Sequence, residues 1–183
     1  MFRFAPSWNY ADLTYSPSGL SLFKPGQNYQ GMQVKPLPTP KQFLTEMFQA
    51  LRPQATAATI IAEDPMREMV EAISRVNQQV NQQLQQAGLQ PNRYDGLAML
   101  VEYTEGGQRY REVLRTILTD ARPSALMWTN EHTIHFRAPM SEFQAWKPAL
   151  DVIFTYTDEK AYNPSEHEKR PNYEWKQTPA RPR

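Results

Sequence analysis

Residues 97–118, LAMLVEYTEGGQRYREVLRTIL, hold two strand-like runs on either side of a glycine pair. Gly106 and Gly107 can supply the positive φ that a tight hairpin needs, so the run 97–103 is predicted to pair with the run 109–118. A second break at 120–123 leads to a last strand at 133–136. Because links this short join antiparallel neighbours, the stretch predicts an antiparallel meander.

A helix is predicted after the meander. Ser141 and Gln144 have the spacing of a capping box. The apolar residues that follow repeat at three- and four-residue intervals and form one stripe: Phe143, Trp146, Leu150 and Ile153. Pro148 predicts a kink, because its ring crowds the preceding turn. We expect this helix to cover the meander, with Trp128 and Trp146 buried between them.

The first half of the chain predicts short strands at 13–16, 19–23 and 31–37, the last of them at a sheet edge because Pro36 cannot donate a ladder hydrogen bond. Thr39 and Gln42 then have the spacing of another capping box, with a proline between them at the first helical position.

A second amphipathic helix is predicted from Asp64, as its cap, to Gly88, with a solvated face rich in Asn and Gln. Residues 55–62 favour a strand but form only a short run. The predicted fold class is therefore α+β, an antiparallel meander sheet covered by helices.

Prolines concentrate at the two ends of the chain. The predicted organisation is an N-terminal arm at 1–12, an α+β sandwich domain at 13–157 and a Pro-rich C-terminal arm at 158–183. Both arms carry aromatic side chains of the types that anchor interfaces: Trp8, Tyr10, Tyr162, Tyr173 and Trp175. We predict that they bind a protein partner, and the alternative that they fold back on their own domain stays open.

Composition excludes several classes of function. With 20 basic and 19 acidic residues the net charge is +1, which argues against a nucleic-acid partner held by bulk charge. The absence of cysteine excludes disulfides, zinc–thiolate sites, iron–sulfur clusters and thiol nucleophiles. Apolar runs fall far short of the ~20 residues that a membrane span needs. No cofactor, nucleic-acid partner or membrane span is therefore predicted.

Two sets of residues are candidate sites. His132 and His135 lie three apart in or near a predicted strand, where side chains at this spacing point to opposite faces, so no metal site is predicted. The second set is a group of arginines that share strand parity, Arg109, Arg111 and Arg115. They form either a partner-binding basic stripe or a solvated face that Glu102 or Glu112 neutralises across strands. No catalytic residue is predicted, because the chain lacks a G-x-S-x-G motif, a P-loop and a G-x-G-x-x-G motif.

The run TIHFRAP at 133–139, followed by the stripe of the last helix and Pro148, resembles the last strand and closing helix of the PsbP/Mog1-like superfamily, which includes the DcrB-type bacterial proteins. The helix start at Thr39 and Pro40 agrees with this resemblance. It implies an accessory module without a shared catalytic site. The sequence thus predicts a non-catalytic interaction module that docks onto a larger protein assembly through its arms. The alternatives are a structural subunit of a virion or envelope complex and a small-ligand-binding domain or enzyme, and homo-oligomerisation stays open.

Overall fold

The structure is a computed structural model that describes residues 2–16, 22–146 and 148. Its strands are β1 (Phe2–Phe4), β2 (Trp8–Ala11), β3 (Asn28–Tyr29), β4 (Met32–Val34), β5 (Thr56–Asp64), β6 (Arg93–Glu105), β7 (Gln108–Asp120) and β8 (Met127–Pro139). Its helices are α1 (Pro40–Leu51), α2 (Arg67–Val76), α3 (Gln78–Gln86) and α4 (Arg122–Ala125), with a 3-10 helix at Leu13–Tyr15.

The described strands form one mixed sheet in the order β3-β4-β2-β8-β7-β6-β5, and β1 also pairs with β8. Only the β2–β4 pair is parallel among the described pairings; the others are antiparallel. The predicted α+β class is therefore confirmed, and so is the predicted meander, which consists of β6, β7 and β8. The hairpin turns at Gly106 and Gly107, both at positive φ, and Glu105 pairs with Gln108.

One face of the sheet packs against α1. Phe43, Leu44 and Phe48 from the helix join a core with residues of β6, β7 and β8: Met99, Val101, Tyr103, Leu114, Leu118 and Trp128. The Trp128 indole donates a hydrogen bond of 2.7 Å to the Lys35 carbonyl oxygen, which satisfies the polar end of a fully buried ring.

The opposite face packs against α2 and against the helical residues 143–146. Met69 and Ile73 of α2 cluster with Ile117, while Phe143 clusters with Phe136 and Ala138. The predicted burial of Trp128 is confirmed, but it lies under α1 rather than under the closing helix. The predicted burial of Trp146 is wrong, because half of its side chain is exposed. Leu150 and Ile153 lie outside the described residues.

The observed helix starts agree only in part with the capping signals in the sequence. In α1 the Thr39 side chain accepts from Gln42 N and the Gln42 side chain accepts from Thr39 N, so the predicted capping box is confirmed. The second helix begins later than predicted and is two helices that meet at Asn77. Asp64 does not cap it; the Asp64 carboxylate accepts from Met66 N, and Met66 stands at the helix start with a φ of 50°.

The N-terminal half departs most from prediction. Residues 13–15 are a 3-10 helix instead of a strand, because the buried Asp12 side chain accepts from Thr14 N. The predicted strand at 19–23 lies largely outside the described residues. β4 is not an edge strand, since it pairs with both β3 and β2. The predicted N-terminal arm is also wrong: β1 and β2 pair with successive stretches of β8. The predicted arm at 158–183 lies outside the described residues.

Gly96 is expected to be the glycine least tolerant of a side chain. A Cβ there would lie 2.6 Å from Ile117 Cδ1 and 3.0 Å from Val70 Cγ2, where α2 crosses the sheet. Because overpacking of this kind displaces well-packed neighbours, Gly96→Ala should lower the free energy of unfolding by about 1–3 kcal/mol. Denaturant unfolding measures the change.

The control for this prediction is Ile117→Val, which removes Cδ1 and alone should cost about 0.5–1.5 kcal/mol. The double variant should be less destabilised than the sum of the two single variants. Strict additivity would show that the contact with Ile117 is not the cause.

Candidate functional site

An open groove of about 400 Å³ lies between the C-terminal half of α1 and β5. Phe48 and Ile60 line its two sides, and Met99 and Val101 of β6 also line it. Thr45 and Gln49 add uncharged polar groups from α1. The groove therefore presents apolar side chains with a few polar neighbours, which is the usual composition of a surface that binds another molecule.

β5 forms the wall of the groove opposite α1 and the last strand of the sheet. All nine of its residues are exposed, and in the described sheet only β6 pairs with it. Ile60 and Ile61 are 36% and 43% exposed, which is high for side chains of this type. Two register shifts, between Thr56 and Thr59 and between Ile60 and Ala62, interrupt its pairing with β6. These bulges limit how long a regular ladder the free edge can offer.

A buried ionic cluster lies directly behind the groove. Arg52, which lines the groove at the end of α1, donates from Nε and from a terminal nitrogen to the two oxygens of Glu112, each at 2.9 Å. The Glu112 carboxylate also accepts from the Tyr103 hydroxyl at 2.8 Å and lies 3.0 Å from His135 Nδ1. Glu112 is fully buried, so these partners replace all of its hydration.

The protonation of this cluster follows from its contacts. Burial by itself raises the pKa of Glu112, but the hydrogen bonds from His135, Arg52 and Tyr103 outweigh it and lower the pKa to about 2. Burial raises the pKa of Tyr103 to about 12, although the hydrogen bond from Arg137 acts in the opposite direction. Arg137 also pairs with Glu105. At neutral pH the cluster is thus a carboxylate anion neutralised by arginine.

The predicted arginine stripe divides between exposed and buried positions. Arg109 and Arg111 both pair with Glu102, at 3.2 Å and 2.6 Å, so the cross-strand neutralisation by Glu102 is confirmed. Arg115 is buried, and the stripe is therefore not exposed along its length. Glu112 lies on the opposite face of the sheet from these arginines. It pairs with Val101 of β6 and Arg137 of β8, and Val101 belongs to the core that α1 covers.

The aromatic residues predicted to bind a partner lie in different environments. Trp8 on β2 is 60% exposed, at the side of the sheet away from β5. Tyr10 stacks on Trp128 with ring centroids 4.2 Å apart, so it packs within its own domain. Three of the predicted residues lie outside the described part of the chain: Tyr162, Tyr173 and Trp175.

The two histidines of β8 are separated by a bulge. His132 has a φ of 50°, and the pairing of β8 with β7 shifts by one residue beside it. The His135 side chain contacts the buried Glu112 carboxylate. Within residues 2–16, 22–146 and 148, no group of three or more His, Asp or Glu side chains could hold a metal ion. None of the helices described there has the length and apolar character to cross a membrane.

Sequence reasoning missed the groove and the cluster behind it. From sequence, Glu112 is predicted only as a partner for surface arginines, and no role is predicted for Arg52. One signal could have identified Glu112: it shares strand parity with Leu114 and Leu118, which points it into the core. Nothing local in the sequence marks Arg52 as its partner, because the two residues are 60 positions apart.

Replacement of Glu112 should destabilise the fold in a pH-dependent way. Glu112→Gln leaves the Arg52 guanidinium without its counterion, so at pH 7 the free energy of unfolding should fall by about 3–5 kcal/mol. The folded pKa of about 2 lies below the ordinary value of 4.5, so the carboxylate stabilises the fold above pH 4.5. That stabilisation, on the order of 3 kcal/mol, is lost as the pH falls toward 2.

Urea unfolding from pH 7 to pH 2 tests this expectation. The difference between wild type and Glu112→Gln should shrink as the pH falls. Glu102→Gln is the matched control, because its partners Arg109 and Arg111 lie nearer the solvent, and it should cost about 0–1 kcal/mol. A Glu112→Gln protein as stable as this control would contradict the account.

No protein-family model, no curated protein and no solved structure matches this chain. The resemblance to the PsbP/Mog1-like superfamily therefore stays a prediction from sequence.

Proposed function

We propose that this chain is a non-catalytic protein-interaction module that docks onto a larger protein assembly. The observation that carries the proposal is β5, an edge strand whose nine residues are all exposed beside an apolar groove. Edge strands offer unpaired backbone N–H and C=O groups to other chains, and proteins usually cover or charge them. The run 55–62, ATAATIIA, carries no charge, and the acidic residues come only at Glu63 and Asp64.

The groove and the edge together fit an extended protein segment. Backbone groups of such a segment can pair with the free edge of β5 at the short regular stretches between its bulges. Alternate side chains of the segment would then lie toward the groove, where Phe48 and Ile60 offer apolar contact. The apolar surface provides affinity, and the few backbone hydrogen bonds fix direction and register.

The non-catalytic part of the proposal is supported by the state of the buried acids. Glu112 is held by Arg52, while Asp12 and Asp120 share Arg122 at 3.1 Å and 2.8 Å. Burial raises the pKa of both aspartates, but their hydrogen bonds outweigh it and lower each pKa below its ordinary value. Carboxylates held in this way stabilise structure and are poorly suited to accept a proton near neutral pH.

The exposed Trp8 offers a second contact at the far side of the sheet. A module with one contact at β5 and another at Trp8 can bridge two neighbours in an assembly. The C-terminal aromatics Tyr162, Tyr173 and Trp175 are proposed to add a further contact.

A charged pair on β5 should abolish association without unfolding the chain. Ile60→Lys with Ile61→Lys places one ammonium group at the groove and a second beside it on β5, and both replaced side chains are partly exposed. Val76→Lys with Val80→Lys is the matched control, because these valines are 47% and 46% exposed on α2 and α3. Sedimentation of the full-length chain from its native source should show a complex for wild type and control but only the free chain for the β5 variant.

Melting temperatures of the three proteins establish that each is folded. If wild type sediments as a free chain, or if the β5 variant keeps the complex, the proposed contact is wrong.

A further inference from the structure

A second groove, of about 430 Å³, lies on the face of the sheet opposite α1. The end of α2 and one side of α3 form one wall, and residues 91–94, which lead into β6, form the other. Tyr94 packs against the cluster of Met69 and Ile73 from α2, which places the groove on the α2 face. Its volume falls within the range of ~300–1,000 Å³ that is usual for small-molecule sites.

The helical wall of this groove consists of uncharged polar side chains. Residues three or four apart on a helix share one face, and those that line the groove are Ser74, Gln78, Asn81, Gln82 and Gln85. The three glutamines are exposed. Each side-chain amide offers both N–H donors and a carbonyl acceptor. A hydroxyl group is likewise both a donor and an acceptor, so this wall matches a ligand that carries many hydroxyl groups.

The opposite wall is held to α3 by hydrogen bonds and adds ring surface. Asn81 Oδ1 accepts from Asn92 N at 3.0 Å, and Asn81 Nδ2 donates to the Asn92 carbonyl oxygen at 3.4 Å. Pro91 and the half-buried Tyr94 line the groove beside this bridge. Because a tyrosine has an apolar ring and a polar tip, it can contact the C–H face of a sugar and bond a sugar hydroxyl.

An unmatched acceptor lies in the same wall. The side-chain oxygen of Asn92 is inaccessible to solvent and accepts no hydrogen bond from the part of the chain that the structure describes. An acceptor left in this state costs free energy. Since Asn92 lines the groove, rotation of its broad terminal torsion presents the oxygen to a ligand hydroxyl, which removes that cost.

The charge of the lining favours a neutral ligand. Among the described residues that line the groove, Arg93 alone is charged. It pairs with Asp120 of β7 across the strands, and its charge helps to lower the pKa of that carboxyl. Burial raises the pKa of Tyr94, although hydrogen bonds from Asn92 and Asn81 act in the opposite direction, so its hydroxyl keeps its proton at pH 7.

We propose that this groove binds a neutral saccharide. The amides of α3 and of Asn92 bond its hydroxyl groups, and the Tyr94 ring contacts its C–H face. This inference goes beyond the proposed function, because it uses neither β5 nor the groove beside α1.

An NMR titration of the ¹⁵N-labelled full-length chain tests the proposal. The probes are maltotriose, cellotriose and triacetylchitotriose, three neutral oligosaccharides that differ in the orientation and substitution of their hydroxyl groups. At least one should give saturable shifts of the amide signals of Asn81, Asn92 and Tyr94, while the signals of β5 stay unchanged. Absence of saturation up to about 10 mM with all three probes, or shifts centred elsewhere, would overturn the proposal.

A pair of variants on α3 ties binding to the groove. Gln78→Ala with Gln82→Ala should weaken binding about tenfold or more, because two side-chain partners of the ligand are lost. Gln79→Ala with Gln83→Ala is the matched control, since these exposed glutamines lie on the same helix but do not line the groove. Alanine favours a helix, so both variants should keep α3 folded. Equal weakening by the two pairs would overturn the assignment to this groove.

An acidic probe separates the two ligand classes. Tighter binding of trigalacturonate than of any neutral probe, lost in Arg93→Gln, would assign an acidic saccharide and overturn the neutral class. The outcome is also distinguishable from failure of the proposed function. The Ile60→Lys, Ile61→Lys variant should bind the saccharide as wild type does, so saccharide binding by a chain that forms no complex refutes only the interaction module.

Discussion

The ion pair between Arg52 and Glu112 is the contact on which the arrangement of this domain depends. Arg52 follows α1, and Glu112 lies in the central part of the β6–β7–β8 meander. Tyr103 from β6 and His135 from β8 bond the same carboxylate, so one buried charge connects three strands to the helix. An unpaired charge at this depth would be strongly destabilising, and the sheet and α1 are therefore obliged to adopt one relative position.

That position creates the surface proposed to be functional. Because α1 packs on β6, β7 and β8, the last strand of the sheet, β5, lies beside an open groove. The same ion pair neutralises Arg52, a charged side chain of the groove wall. Stability and the proposed interaction are thus linked. The buried cluster fixes the position of α1, and α1 and β5 form the two sides of the groove. The uncharged part of β5 is the edge proposed to bind another protein segment.

The sequence predicted what is encoded locally. Gly106 and Gly107 identified the hairpin, and the Thr39–Gln42 spacing identified the start of α1, because both signals act within a few residues. It did not predict contacts made at long range. β2 pairs with β8 about 120 residues later, and a pairing at that distance leaves no local signal, so the sequence predicts an N-terminal arm instead. The helical stripe that begins with Phe143 and Trp146 predicts a buried helix, yet of these two described residues Phe143 enters the core and Trp146 is half exposed. Arg52 offers no local sign that its partner is Glu112.

A double-mutant cycle on Arg52→Met and Glu112→Leu tests the central claim most directly. Each single change leaves a charged group without its ionic partner and should cost about 3–5 kcal/mol, whereas the double change removes both charges and should cost far less than the sum. Denaturant unfolding with an unchanged slope provides the free energies. A coupling energy of about 2 kcal/mol or more is the predicted result, while single effects that add within about 0.5 kcal/mol would contradict the account.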